Sequence, residues 1–136
     1  MARITDTQPI RACCFHGDAF ALGTNSKSLK ICSLDNIVNR KDETSLAIEV
    51  IHEKTNVHFG SIYCVDWSSD GSLVASGSND VRIHILKLSE YEYGEGVILQ
   101  GHTATVRCLA FDAGDPSVLV SGGIDAGLKV WDLEQS

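Results

Sequence analysis

Short apolar runs separated by turn-forming residues recur along this chain about every ten residues, the spacing of an all-β protein built from short strands. Reading each run with its flanking Gly, Asp, Asn and Ser residues predicts strands over 10–15, 19–23, 28–34, 46–51, 62–67, 73–77, 81–88, 97–100, 106–111, 117–121 and 127–133. Asp70-Gly71 marks one connection as a tight hairpin in which both central residues take positive φ. His16-Gly17-Asp18 and Asp112-Ala113-Gly114-Asp115 mark two more. The intervals 35–45 (DNIVNRKDETS) and 89–96 (SEYEYGEG) are polar and read as plain connections, with Tyr91 and Tyr93 among glutamates as the one alternative, a recognition segment. Several runs, VRCLAF and LKVWDL among them, are apolar on both strand faces, so their sheets must be covered on both sides. Stacking sheet against sheet in a radial arrangement does that.

The pattern is also periodic. HFGSIYCVDW (58–67) lies over HTATVRCLAF (102–111) at a spacing of 44 residues, matching His58 with His102, Ile62 with Val106, Cys64 with Cys108 and Trp67 with Phe111. SGSNDVRIHIL (76–86) lies over SGGIDAGLKVW (121–131) at a spacing of 45, matching Ser76 with Ser121 and Asp80 with Asp125. The extra residue falls in the loop DAGDPS, where an insertion costs least. A fainter copy lies upstream: residues 10–15 match 62–67, and ALGTNSKSLKIC (21–32) matches ASGSNDVRIHIL, 52 to 54 residues earlier.

A period near 44 residues, four strands per unit, and Gly101-His102 followed by Trp131-Asp132 make the chain resemble the WD-repeat β-propeller family. The resemblance implies a partial WD-repeat β-propeller of about three four-stranded antiparallel blades. Blade 1 would span about 10–57, blade 2 about 58–101, and blade 3 about 102–133 without its outer strand. It also implies that the signature side chains form one hydrogen-bonded network inside a blade: His102, Ser121, Asp125 and Trp131 in the third, and His58, Ser76 and Asp80 in the second. An indole N–H can only donate, so Trp131 needs an acceptor, and Ser121 can accept from it while bonding His102, whose other nitrogen reaches Asp125. The middle unit has Leu86 at the tryptophan place, and the first has Leu22, Ser26 and Cys32 at the Ser, Asp and Trp places.

The same residues suggest rival chemistry. Ser121, His102 and Asp125 are the residue types of a hydrolase triad. The serine lies inside a predicted strand with no G-x-S-x-G elbow, and the set recurs at His58, Ser76 and Asp80. One set per unit fits a structural device, so no catalytic residue is expected. His52, Glu53 and His58 are too loosely spaced to specify a metal, and no metal or cofactor is expected. Cys64 and Cys108 read as small buried apolar residues.

The 136 residues suffice for one domain, and 11 basic against 18 acidic residues leave a net charge of −7. With no basic run longer than Arg40-Lys41, the chain is a poor match for nucleic acid or an anionic membrane surface. No apolar run approaches the ~18 residues of a membrane span, and MARITDTQPIR lacks the apolar core of a secretory signal. Five cysteines without a C-x-x-C pair read as reduced thiols, which points to the cytoplasm.

TDTQPIRACCFH, ALGTNSKSLKIC and HFGSIYCVDWSSDGSLVASGSND resemble the opening of the C-terminal propeller of nemitin-type WD-repeat proteins, which associate with microtubule-associated proteins. That resemblance implies a non-enzymatic protein–protein interaction scaffold linked to the cytoskeleton through such proteins. The alternative is a purely structural arc completing a larger propeller or multisubunit complex. The amino-terminal LisH and CTLH segments of that group have no counterpart in this sequence, so only a propeller role carries over. Propellers close with about 4 to 8 blades, so further blades from a longer chain or another copy are expected, with Ala2–Thr5 a candidate strand for pairing with a distant blade. The expected binding rim is the one that holds the Ser-Gly-x-x-Asp turns: Ser61, Tyr63, Thr105 and Arg107 at strand starts, and Asn25, Asn79 and Ile124 just before the turn position.

Overall fold

The apolar runs form antiparallel meanders, each strand pairing with the next in the chain. In the computed structural model, which describes residues 3–34, 48–89 and 93–135, the first sheet holds β1 (Ile10–His16), β2 (Ala19–Thr24), β3 (Leu29–Ser33) and β4 (Glu49–Lys54). The second holds β5 (Ile62–Trp67), β6 (Leu73–Ser78), β7 (Arg82–Leu88) and β8 (Tyr93–Gln100). The third holds β9 (Val106–Phe111), β10 (Val118–Gly123) and β11 (Leu128–Asp132). The described residues are all-β, and the three sheets form an open arc.

The first strands of the sheets pack side by side, β1 beside β5 and β5 beside β9. Between sheets one and two, Ala21, Leu29 and Ile31 meet Ile62, Val65, Trp67, Val74 and Leu86. Between sheets two and three, Cys64, Ala75, Ile83, Ile85 and Leu99 meet Val106 and Leu119, with Phe111 and Trp131 at the margin. The middle sheet thus buries apolar side chains on both faces, as a sheet between two others must. The sheets approach so closely that two aligned positions are glycine. A Cβ at Gly23 would lie 2.4 Å from Ile62 Cγ2, and one at Gly77 would lie 2.7 Å from both Cys64 Sγ and Val106 Cγ1.

Polar bonds also cross between sheets. Trp67 Nε1 donates to the Cys14 carbonyl at 2.9 Å. Asp66 accepts from Cys14 Sγ at 3.2 Å on one carboxylate oxygen and from the Phe111 N–H at 2.7 Å on the other. One side chain of the middle inner strand therefore ties β1 to β9. Burial, reinforced by Asp66, pushes the Cys14 thiol up to about 11, so it donates as a thiol at neutral pH.

Several expectations from the sequence need correction. β4 runs over Glu49–Lys54, not 46–51, pairing Lys54 with Leu29 and Glu49 with Ser33. As an outer strand it is mostly exposed, so the polar residues His52-Glu53-Lys54 are no reason for it to stop. β8 begins at Tyr93, inside the interval read as a connection. Tyr93 is an anchor: its hydroxyl donates to the Leu29 carbonyl at 3.2 Å and its ring lies 5.5 Å from that of His52. Gly96 fits there because a Cβ would come within 2.8 Å of the Ile85 carbonyl oxygen. Tyr91 and the interval 35–45 lie outside the described residues. In the Asp70-Gly71 connection only Gly71 has positive φ, at 74°. Asp70 instead accepts from the Ser68 hydroxyl and from the Ser72 N–H and hydroxyl at 2.7, 3.0 and 2.7 Å, so the hairpin is held by its carboxylate. Cys108 is exposed rather than buried, because it lies on the uncovered face of the third sheet, as do Leu128 and Val130. At the other end, Ile4 packs against Phe20, Leu22 and Cys32, and Asp6 pairs with Lys30 at 2.7 Å.

Replacing Asp66 by Ala should strand the Phe111 N–H and lower unfolding stability by about 2 kcal/mol, whereas Asp66→Asn, which keeps one acceptor, should lose about half as much. Urea unfolding of the two variants checks this; equal stability for Asp66→Ala and the parent chain rules out the tie.

Candidate functional site

Three β2–β3-type turns repeat with one backbone feature that the sequence does not announce. Lys27, Val81 and Ala126, each directly after the turn position held by Ser26, Asp80 or Asp125, have φ of 67°, 66° and 62°. In each turn the N–H of that residue bonds the carbonyl three residues back: Thr24, Ser78 and Gly123. What holds the turn in place is the side chain just before it in the chain.

In the third sheet the structure brings His102, Ser121, Asp125 and Trp131 together. His102 Nδ1 lies 2.9 Å from Asp125 Oδ2 and its Nε2 lies 2.8 Å from Ser121 Oγ, which accepts from Trp131 Nε1 at 2.8 Å. Asp125 also accepts from the N–H groups of Thr103 (2.9 Å) and Gly127 (3.0 Å). Those two backbone donors, with the His102 ring, hold its carboxyl down at about 2. A carboxylate so bound keeps the proton on His102 Nδ1, leaves Nε2 to accept from the serine, and leaves the serine oxygen to accept from the indole. Ser121 is 1% exposed, and its oxygen is shared between ring and indole, so the triad-like trio offers no nucleophile to a substrate.

The second sheet repeats the geometry without the indole. His58 Nδ1 lies 2.9 Å from Asp80 Oδ2 and its Nε2 lies 2.9 Å from Ser76 Oγ. Asp80 accepts further from the N–H groups of Phe59 and Arg82, and Leu86 lies in the interface core. Burial works to raise the Asp80 carboxyl, but the Arg82 N–H, the His58 ring and the Phe59 N–H together hold it below the usual range. Here a second imidazole joins: the His84 ring lies 4.3 Å from that of His58. His58, Asp80 and His84 present ligand-type atoms within 4.8 Å of one another. Both His58 nitrogens and both Asp80 oxygens are already bonded, so the trio as built suits a network and not an ion. His52, Glu53 and His58 are not brought together as a ligand set: His52 meets Tyr93, Glu53 lies 3.9 Å from Lys30, and His58 belongs to the network. In the first sheet, Leu22 and Cys32 join Phe20 in an apolar cluster, so oil replaces polar bonds at those places.

The rim residues also share one edge. The Asn25, Asn79 and Ile124 N–H groups donate to the carbonyls of Pro9, Ser61 and Thr105, which ties each turn to the chain entering the inner strand of its own sheet. Tyr63, Arg107 and Ser61 lie at the starts of β5 and β9 with Thr105, and Ile124 is 62% exposed. Sequence reading missed Arg11, although it stands one place after Ile10 just as Tyr63 and Arg107 stand one place after Ile62 and Val106. Its guanidinium carbon lies 4.9 Å from the Tyr63 ring centroid, and that of Arg107 lies 5.0 Å from it. It also missed Phe59, 78% exposed, with the Arg82 guanidinium 5.3 Å from its ring centroid.

Radially stacked antiparallel meanders of three or four strands, two of them closed by a His–Ser–Asp lock beside the turn between their second and third strands, define an arc of a β-propeller. The family model "WD domain, G-beta repeat" matches residues 51–83 and 95–132, more than half of the chain, and the chain belongs to that family. Protein HIRA of Oryza sativa subsp. japonica is 30% identical over 132 residues, 86% of this chain and 13% of that protein. Striatin-4 of Mus musculus is 31% identical over 138 residues, 93% of this chain and 18% of that protein. The Poly(A)+ RNA export protein of Schizosaccharomyces pombe is 38% identical over 81 residues, 58% of this chain and 22% of that protein. The chain thus spans a fifth or less of the length of the first two of these relatives.

Trp131→Phe removes the donor to Ser121 and part of the ring packed at the second interface, so it should lower unfolding stability by about 1–3 kcal/mol. An unchanged urea midpoint overturns the lock. The histidine pair gives a pH dependence. Burial, with His58 beside it, pushes His84 down to about 4, and burial also lowers His58 below its ordinary 6.5. The unfolded chain therefore binds protons that the folded chain refuses. The contribution is fully present above about pH 6.5 and is lost as pH falls toward 4. His84→Gln should reduce the stability difference between about pH 7 and pH 5 by roughly 1 kcal/mol, a figure discounted for the ring's partial exposure. Parallel urea unfolding at the two pH values measures it.

Proposed function

We propose that the chain is a non-enzymatic protein-interaction scaffold that presents one loop rim to its partner and works in the cytoplasm. The observation that carries this reading is the enclosure of both chemically suggestive trios: Ser121 and Ser76 are buried, and each is bonded to its histidine, so what the chain offers to solution is its surface. WD-repeat proteins bind other proteins, and the family is generally a scaffold. All five cysteines are free, and burial pushes Cys32 and Cys64 up to about 11 and about 12, in keeping with unreactive thiols in a reducing compartment.

The finer part of the proposal is a link to the cytoskeleton through microtubule-associated proteins. Its support is the resemblance of the opening segments to nemitin-type proteins together with the charge. A chain of net charge −7 is repelled by an acidic microtubule surface and is attracted by a basic intermediary. A second reading, a structural arc within a larger ring, is favoured by the third sheet. Leu128 and Val130 are 73% and 67% exposed, whereas Ile83 and Ile85 at the matching places of the second sheet are 1% and 3% exposed under sheet three. Another blade, from a longer chain or another copy, is the cover such a face fits.

Co-sedimentation separates the readings. The purified chain should stay in the supernatant with bare microtubules and pellet when the microtubules carry a basic associated protein. Salt-sensitive pelleting with bare microtubules overturns the proposed intermediary, and a chain that pellets in neither case leaves the arc reading.

A further inference from the structure

We propose that the Arg11–Tyr63–Arg107 ladder on the rim is a docking site for an acidic peptide segment of a partner protein. The inference rests on the scaffold reading above and deepens it. The three residues are the second positions of the three inner strands, so the repeat itself places them side by side at one end of β1, β5 and β9. Tyr63 sits between the blade that carries Arg11 and the blade that carries Arg107, and each guanidinium carbon lies within about 5 Å of its ring centroid, at 4.9 and 5.0 Å. The ring fixes both cations at the cost of none of their N–H donors.

Two further observations point to an anion. First, no carboxylate of the described residues lies within ion-pair distance of Arg11 or Arg107, in a chain where acidic residues outnumber basic ones 18 to 11. The nearby rim acids are already committed: Asp80 to His58, Phe59 and Arg82, and Asp125 to His102, Thr103 and Gly127. Second, Arg11 is aimed. Its Nε donates to Asn25 Oδ1, which leaves the two terminal nitrogens of the fork for an incoming group. Both arginines are exposed, so the fork donors face solvent. Two oriented guanidinium groups on one aromatic plate match the carboxylates of glutamate and aspartate or the oxygens of a phosphorylated side chain, by bidentate bonding. Asn79 and Ile124 lie on the same rim, their N–H groups bonded to Ser61 and Thr105, each two residues before Tyr63 and Arg107.

The test uses the whole chain and three labelled probes: a decaglutamate peptide, its decaglutamine counterpart, and a Gly-Ser peptide carrying two phosphoserines. Fluorescence anisotropy should show binding of at least one anionic probe, weakening as salt rises, with no binding of the glutamine peptide. The tighter of the two anionic probes identifies the source of the charge. Arg11→Gln and Arg107→Gln should each weaken binding by about tenfold, Tyr63→Leu should weaken it by a similar factor, and Tyr63→Phe should leave it unchanged. Far-ultraviolet circular dichroism of each variant confirms that the sheets persist. Binding of neither anionic probe, equal binding of the glutamine peptide, or indifference to both arginine substitutions overturns the inference. None of these results bears on pelleting through a microtubule-associated protein, so failure here and failure of the scaffold reading remain distinct.

Discussion

A sheet that is apolar on both faces can exist in water only between two others. That constraint organises the molecule. The middle sheet buries Val74 and Leu86 toward the first sheet and Ile83 and Ile85 toward the third. Burial of this kind contributes roughly 25 cal/mol per Å² of apolar area and has no direction of its own. Direction comes from the close approaches. Gly23 receives Ile62 and Gly77 receives Val106, so each inner strand is indexed against the sheet before it by a β-branched side chain over a missing one. Asp66 then closes the inner strands with bonds to both neighbours. Sheets packed in this way leave an apolar face at each end of the arc, which is why Leu128 and Val130 stand exposed where their counterparts are covered.

The polar locks do different work from the interfaces. Each lies within one sheet and joins the residue that precedes the inner strand to the turn between the second and third strands. The effect is to fix two loops of one rim against each other, and hence to hold Asn79 beside Ser61 and Ile124 beside Thr105. The three versions are graded in composition. The third blade has the whole set with Trp131, and the second replaces the indole with a packed leucine and adds His84. The first relies on Leu22 and Cys32 under Phe20. A lock can be lost from the first sheet because Ile4, Leu34 and Ile48 supply apolar cover on that face. The rim keeps one turn geometry in all three sheets without keeping any one chemical version of the lock.

The inner strands and the signature residues were legible because both are set by local sequence and by period. Alternation and turn residues locate β5 to β7 and β9 to β11 to within a residue or two of their ends, and superposition of the repeats aligns His58 with His102 and Asp80 with Asp125. Outer strands were read badly for a physical reason. β4 and β8 are exposed along much of their length, so they carry no hydrophobic pattern, and Tyr93-Gly94-Glu95-Gly96 looks like a loop until Leu29 and Ile85 are seen beside it. Asp66 shows no signal in the chain, because its partners Cys14 and Phe111 are 52 and 45 residues away. Arg11 is the instructive miss. The period contained it, at the place already assigned to Tyr63 and Arg107, and only the weakness of the first repeat's signature kept it out of view.

Local and overall charge act on different length scales, and the difference constrains any partner. At physiological ionic strength fields fade within about 8 Å, so the net charge of −7 governs the approach of a whole protein while the paired guanidinium groups govern what lies against the rim. A uniformly acidic partner is slowed on approach and held only at one spot. A uniformly basic one is drawn in but meets Arg11 and Arg107 unpaired. The partner that satisfies both scales is basic overall and carries a short acidic segment that reaches the ladder. Such a partner gains association rate from the first property and register from the second. The Tyr63 ring sharpens the register, because it holds two forks of fixed plane where flexible lysines would offer only charge.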